Sequence, residues 1–177
     1  HMVMVGGMTM TPLHLRSGGH ALEVVGFVIS LHIIGMYALS PIVGRVADHL
    51  GARPVIAAGG VLLAVGAAFA AGAEATESGG VYLGLFLIGL GWCCGLVAGS
   101  TLLVRTFAGS DRVGIQGLAD LCMTASGGLA GLGSGFMVAV AGYQNLSRAA
   151  IVVGLVPTVA VLAMLLSDRG RHRPQAA

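Results

Sequence analysis

Charge is what this sequence lacks most. Only 9% of its 177 residues are Asp, Glu, Lys or Arg, whereas 56% are apolar. A water-soluble domain carries about 25% charged residues on its surface, so water cannot face most of this chain. Its mean hydropathy is +0.92, and a bilayer supplies the surroundings that such a sequence needs. Lysine is missing altogether and all nine basic residues are arginine, which we read as compositional bias without mechanistic content. A net charge of +2 is too small to recruit nucleic acid. Cysteine is scarce: Cys93, Cys94 and Cys122 all lie in apolar stretches, and an odd number so placed argues against a disulfide framework. Also missing are a Ser/His/Asp set, paired carboxylates and a cofactor fingerprint, so the chain is not expected to be an enzyme or to hold a prosthetic group. Glycine, by contrast, is abundant, with 30 residues. The glycines follow no three-residue period, which excludes collagen, and small residues let helices pack closely in lipid.

Six apolar segments emerge between short polar breaks, at 2–13, 22–43, 55–73, 81–104, 114–140 and 149–166. The last five are near or above the length that crosses a hydrocarbon core of about 30 Å. The first stops at Thr11-Pro12 and, at about 1.5 Å per residue, reaches only about 18 Å, which reads as a helix whose beginning is missing. Interior glycines and Pro157 do not defeat these assignments, because membrane helices tolerate both. Alternate breaks differ in charge. One set holds Arg45, Arg53, Arg105, Arg112, Arg169, Arg171 and Arg173, and the other only Arg16 and Arg148. Seven arginines against two predict that the first set, with the basic tail at 168–177, is cytoplasmic.

The break after the second segment reads Gly44-Arg45-Val46-Ala47-Asp48-His49-Leu50-Gly51-Ala52-Arg53. Its glycines permit a tight turn, and Asp48 can pair with an arginine or cap a helix. The spacing of Gly44, Asp48, Gly51 and Arg53 resembles the cytoplasmic signature loop of the major facilitator superfamily, with Ala52 where that family often has a second basic residue. The resemblance implies an all-α integral membrane fold and secondary transport. It also implies one six-helix half, helices seven to twelve, with the first helix truncated and an N-terminal six-helix half as the missing partner. Bacterial inner-membrane localisation, with a lipid bilayer around the helices and a transported solute or metal ion, follows as an expectation.

Two spacings suggest chemistry within the membrane. Met4 and Met8 share one helix face, as do His32 and Met36, because a separation of four places side chains above one another. If the two helices are neighbours, three thioethers and an imidazole converge, a donor set that selects Cu(I) over hard cations. The pattern resembles the Met-x-x-x-Met and His-x-x-x-Met pair of CcoA-like copper importers. That resemblance implies copper import, with Cu(I) as transported ion and Met4, Met8, His32 and Met36 as its ligands. Methionine is also an ordinary apolar filler, and eight are present. The same resemblance implies organic cargo as the alternative, such as a riboflavin-like solute or a drug, because relatives of such importers carry it.

Proton coupling has two candidates. His32 lies about ten residues into its span, where a polar group is costly and often functional, and imidazole changes charge near neutral pH. Asp120 lies about two turns inside the fifth segment, and pairing with Arg105 or Arg112 competes with a coupling role. Glu23 is expected at the interface, and His14 and His20 in a solvated turn beside Arg16. Cys93 and Cys94 read as buried small hydrophobes, since adjacent helical residues diverge by about 100°. Gly127, Gly128, Gly131 and Gly135 form a small-residue packing face. A scaffold subunit without transport is the remaining alternative.

Overall fold

The computed structural model describes residues 1–76 and 78–171, and among them no strand occurs. Seven helices follow in order: α1 (Met2–Ser17), α2 (Leu22–Tyr37), α3 (Ser40–Leu50), α4 (Ala52–Gly72), α5 (Ser78–Thr106), α6 (Gly109–Ala141) and α7 (Tyr143–Arg171). α2 and α3 together make one crossing of 29 residues, Leu22–Leu50. Five crossings among the described residues are long and apolar enough to span a bilayer, and α1, with 16 residues, completes the set of six apolar elements. The all-α membrane architecture is as the sequence predicts. Glu77 and the end of the tail, 172–177, lie outside the described residues.

Several boundaries differ from expectation: α6 begins at Gly109 instead of 114, and α7 runs to Arg171, into the tail expected at 168–177. α1 does not stop at Pro12 but continues to Ser17. Apolar surroundings favour keeping backbone groups paired within the helix, and the hydroxyl of Thr11 bonds back to the Gly7 carbonyl at 2.7 Å. α7 begins at Tyr143 instead of 149. Its first turn is polar, with Asn145 Nδ2 donating to the Ala141 carbonyl at 2.8 Å and Arg148 to Asn145 at 3.1 Å. Hydropathy marks the part of a helix that lies in hydrocarbon, and the polar ends escape it. The second segment is interrupted at Ala38–Leu39. Pro41 offers no N–H to the Tyr37 carbonyl four residues back, and the Ser40 hydroxyl takes that carbonyl instead at 2.7 Å.

Glycine holds the bundle together. A Cβ added at Gly66 would stand 2.6 Å from the Gly84 carbonyl, and one at Gly91 would stand 2.7 Å from the Gly59 carbonyl. α4 and α5 thus touch backbone to backbone at two levels, the close approach that small residues permit in lipid. α4 meets α7 through Gly60, against Gly154 and Thr158, and the Thr158 hydroxyl bonds to the Ala57 carbonyl at 2.7 Å. α2 meets α5 at Gly35, where a Cβ would stand 2.6 Å from the Phe86 carbonyl. On α6, Gly127, Gly131 and Gly135 face α1 through His1, Val5 and Met10, as the packing-face reading expects, whereas Gly128 points into open space.

Candidate functional site

His32 is wholly buried between α2 and α5. Its Nδ1 lies 2.7 Å from the Leu85 carbonyl oxygen, which can only accept, so Nδ1 carries the hydrogen. In the neutral ring Nε2 is left as a buried lone pair, and it has no partner among the described residues. The seat is cut by Gly89, where a Cβ would come within 2.5 Å of the His32 carbonyl oxygen and 3.2 Å of Nδ1. Gly89 lies one helical turn beyond Leu85, so its missing side chain also uncovers the Leu85 carbonyl. Met4 and Met36 are buried in one apolar cluster with Val28, Leu85, Ile88 and Trp92, and Met8 packs against it. The three thioethers thus belong to one apolar cluster, which also takes residues from α4 and α5. Met36 occupies the last turn of α2, just before the break, where a helix end carries partial negative charge. Met4 is 4% and His32 0% exposed.

Asp120 has a different setting. It is exposed on α6 and accepts a hydrogen bond from Gln116 Nε2 at 3.1 Å. The expected pairing with Arg105 or Arg112 does not form. Arg105 reaches Asp48 instead, at 2.9 Å, and the other ion pair among the described residues joins Arg53 to Asp168 at 3.2 Å. The reason is distance along the helix: Asp120 stands about 16 Å up α6 from Gly109, whereas Arg105 is at the end of α5. Asp120 borders a cleft of about 500 Å³ between α5 and α6, lined also by Gly95, Gly99, Ser100, Gln116 and Ser126. Trp92 closes one side of the cleft and belongs to the thioether cluster as well. Tyr37 meets Trp92 edge-on, with ring centroids 6.0 Å apart.

The signature loop ties three helices together at the arginine-bearing end. Gly51, between α3 and α4, has φ +90°, a conformation that only glycine adopts without strain. Asp48 takes the arginine partner anticipated for it, and α4 has no side-chain cap. Both ion pairs are about half exposed, with side-chain exposures of 46–64%, so each contributes up to about 1 kcal/mol. Asp48→Arg is therefore expected to lower the thermal midpoint only slightly, and Asp48→Arg with Arg105→Asp to restore it. A scanning-fluorescence melt of the parent, Asp48→Arg, Arg105→Asp and the double variant in detergent checks this, and an unrestored double variant would refute the pairing.

At the opposite end the solvated-turn reading of His14 needs correction. His14 stacks on Tyr143 with centroids 4.0 Å apart, and the Tyr143 hydroxyl lies 2.9 Å from that of buried Thr11. Gly18 sits so close to the Ala75 carbonyl that no Cβ would fit. Glu23 is exposed in the first turn of α2, and Cys93 and Cys94 are buried with Ala47, Val55 and Ala98. Sequence reasoning missed Leu85, Gly89 and Gln116. The spacing of Gly35 and Gly89 held a signal only for a reader who already knew that α2 and α5 are paired.

The fold, the glycine-packed crossings and the loop define the class as a polytopic helical membrane bundle. The chain belongs to the Major Facilitator Superfamily, whose family model matches residues 2–177. It is 36% identical over 169 residues to the uncharacterized MFS-type transporter YdeG of Bacillus subtilis (strain 168), covering 96% of this chain and 38% of that protein. The uncharacterized MFS-type transporter YddS of the same organism is 40% identical over 155 residues, covering 87% and 35%. The riboflavin transporter RfnT of Brucella anthropi is 24% identical over 140 residues, covering 79% and 35%. The chain thus spans little more than a third of the length of these relatives. No solved structure matches.

Proposed function

We propose that this chain is the C-terminal six-helix part of a proton-coupled secondary transporter of a small organic solute. It works by alternating access against a second six-helix part. The observation that supports this best is Asp120, a carboxylate at membrane depth that has no ion-pair partner among the described residues and borders an open cleft. An ionised carboxylate there is costly and a protonated one much less so, so proton binding shifts the balance between conformations that hydrate the cleft and those that close it. The name of the riboflavin transporter RfnT favours organic cargo of that size, and Trp92, at the edge of the cleft, would offer it an aromatic face. The arginine-bearing end, with the C-terminus, is assigned to the cytoplasm of a bacterial cell by its charge.

Copper(I) is the second reading, favoured by the buried, unpartnered Nε2 of His32 and by the membership of Met4, Met8 and Met36 in one apolar cluster. The two readings separate in proteoliposomes holding the full-length transporter under an imposed pH gradient, with riboflavin and Cu(I) as probes. On the organic reading, Asp120→Asn abolishes gradient-driven riboflavin accumulation but leaves counterflow exchange, whereas Met8→Ala and His32→Ala change neither. Unaltered accumulation in Asp120→Asn would refute the coupling role. Copper uptake that both Met8→Ala and His32→Ala abolish would instead establish the copper pathway. No flux of either probe, with a stable partner complex, would favour a scaffold subunit.

A further inference from the structure

A second cavity, separate from the Asp120 cleft and sharing Val3 and Ile88 with the apolar cluster around the thioethers, opens between α6 and α7. It holds about 290 Å³. Its floor is made of small residues from four helices: Gly6 and Gly7 on α1, Ala70 on α4, Ala130 and Gly133 on α6, and Ala150 on α7. Its lips are Leu129 and Val153, both exposed. The same two helices continue outward as open apolar surface, with Leu132 and Val156 at 80% and 59% exposure. Along α7 the cavity runs from Tyr143 to Val153, about 15 Å at 1.5 Å per residue, which is half the hydrocarbon thickness of about 30 Å. Besides buried Ser134, deeper along α6, polar lining groups stand at the Tyr143 end. There Tyr143 bonds to Thr11 and the buried Ser147 stands one turn further along, at the end of the bundle poor in arginine.

An apolar cavity of this size does not hold water and readily takes hydrocarbon. Its mouth is continuous with the exposed apolar faces of α6 and α7, its depth matches one leaflet, and its Tyr143 end lies where headgroups would be. We propose that it is a binding site for one phospholipid acyl chain, drawn from the leaflet at the Tyr143 end and wedged between α6 and α7. The inference rests on bilayer embedding and is independent of the cargo.

The test uses the full-length transporter in liposomes of phosphatidylethanolamine and phosphatidylglycerol, doped with a phosphatidylglycerol that carries a diazirine in mid-chain. After irradiation, adducts are mapped by peptide mass spectrometry. We expect labelling on the floor, at Gly7 and Ala70, as well as on Leu132 and Val156. Ala150→Phe, which fills the cavity, should lose the floor labels and keep the surface ones. Labels confined to Leu132 and Val156 would overturn the proposal, as would absence of label from all four, which would mean that protein covers this face. Ala70→Cys supplies a check that does not depend on the filled variant folding. The new thiol should resist a charged water-soluble thiol reagent, and rapid reaction would show that the cavity holds water.

Discussion

Gly66→Leu, in the full-length transporter, is expected to remove nearly all folded protein from the membrane, and Gly84→Leu to do the same. At either position the first added carbon meets backbone. A Cβ on Gly66 would lie 2.6 Å from the Gly84 carbonyl and 2.9 Å from the Ile88 amide, and one on Gly84 would lie 2.8 Å from the Gly66 carbonyl. A flexible side chain could swing aside, but these atoms can move only if α4 and α5 separate. Overpacking of a well-filled core costs about 1–3 kcal/mol where side chains can yield, and the cost rises where only backbone can. The contact is also shared, since α4 is the helix that α5 and α7 both use, through Gly59 and Gly66 on one side and Gly60 on the other. Separating the first pair therefore loosens the second. Gly72→Leu is the control, because nothing stands within 4 Å of its Cβ position. Fluorescence-detected size-exclusion chromatography of detergent extracts provides the readout. A monodisperse Gly66→Leu peak of parental height would show that the backbone contact is not needed.

The second large effect is expected at the His32 seat, where two substitutions should separate packing from chemistry. Gly89→Val places a branched side chain against the His32 carbonyl oxygen and Nδ1, and against the Met36 amide at 3.2 Å. It should therefore push α2 from α5 and destabilise the bundle by about 1–3 kcal/mol or more. His32→Leu, close in volume, removes one hydrogen bond, and the Leu85 carbonyl keeps its helical partner. Its cost should be about 1 kcal/mol, with the protein still inserted and folded. Thermal melts and copper content, measured on both variants at equal membrane abundance, complete the comparison. If His32→Leu proves as damaging as Gly89→Val, the imidazole itself holds the helices together. If it is nearly silent in stability but abolishes copper accumulation, the lone pair on Nε2 is a ligand.

Much of the architecture was readable from the chain alone, because its cause is local and one-dimensional. A bilayer imposes a length and a polarity on each crossing, so low charge and long apolar runs determine that the chain folds as membrane helices, and about where they lie. The bias of arginine between alternate breaks predicts their direction for the same reason. The signature loop was legible because its chemistry is contiguous, from Gly44 to Arg53, and glycine is needed at Gly51 wherever the bundle happens to pack. The face of Gly127, Gly131 and Gly135 was legible because one period of a helix suffices to align them.

Only the tertiary structure decided which charges meet and which polar groups are left over. Sequence proximity placed Asp120 with Arg105 or Arg112, but an antiparallel turn carries Asp120 away from the end where those arginines lie, and Asp48 takes Arg105 from another helix. Pro12 looked like a stop because the rule against proline within helices reflects an alternative partner, water, that hydrocarbon does not provide. His14 looked solvated because nothing in its own segment shows that Tyr143, 129 residues further on, will stack against it. The same holds for the notch at Gly89 and the groove between α6 and α7. Both are spaces defined by what several helices omit, and a gap between distant segments leaves no pattern in any one of them.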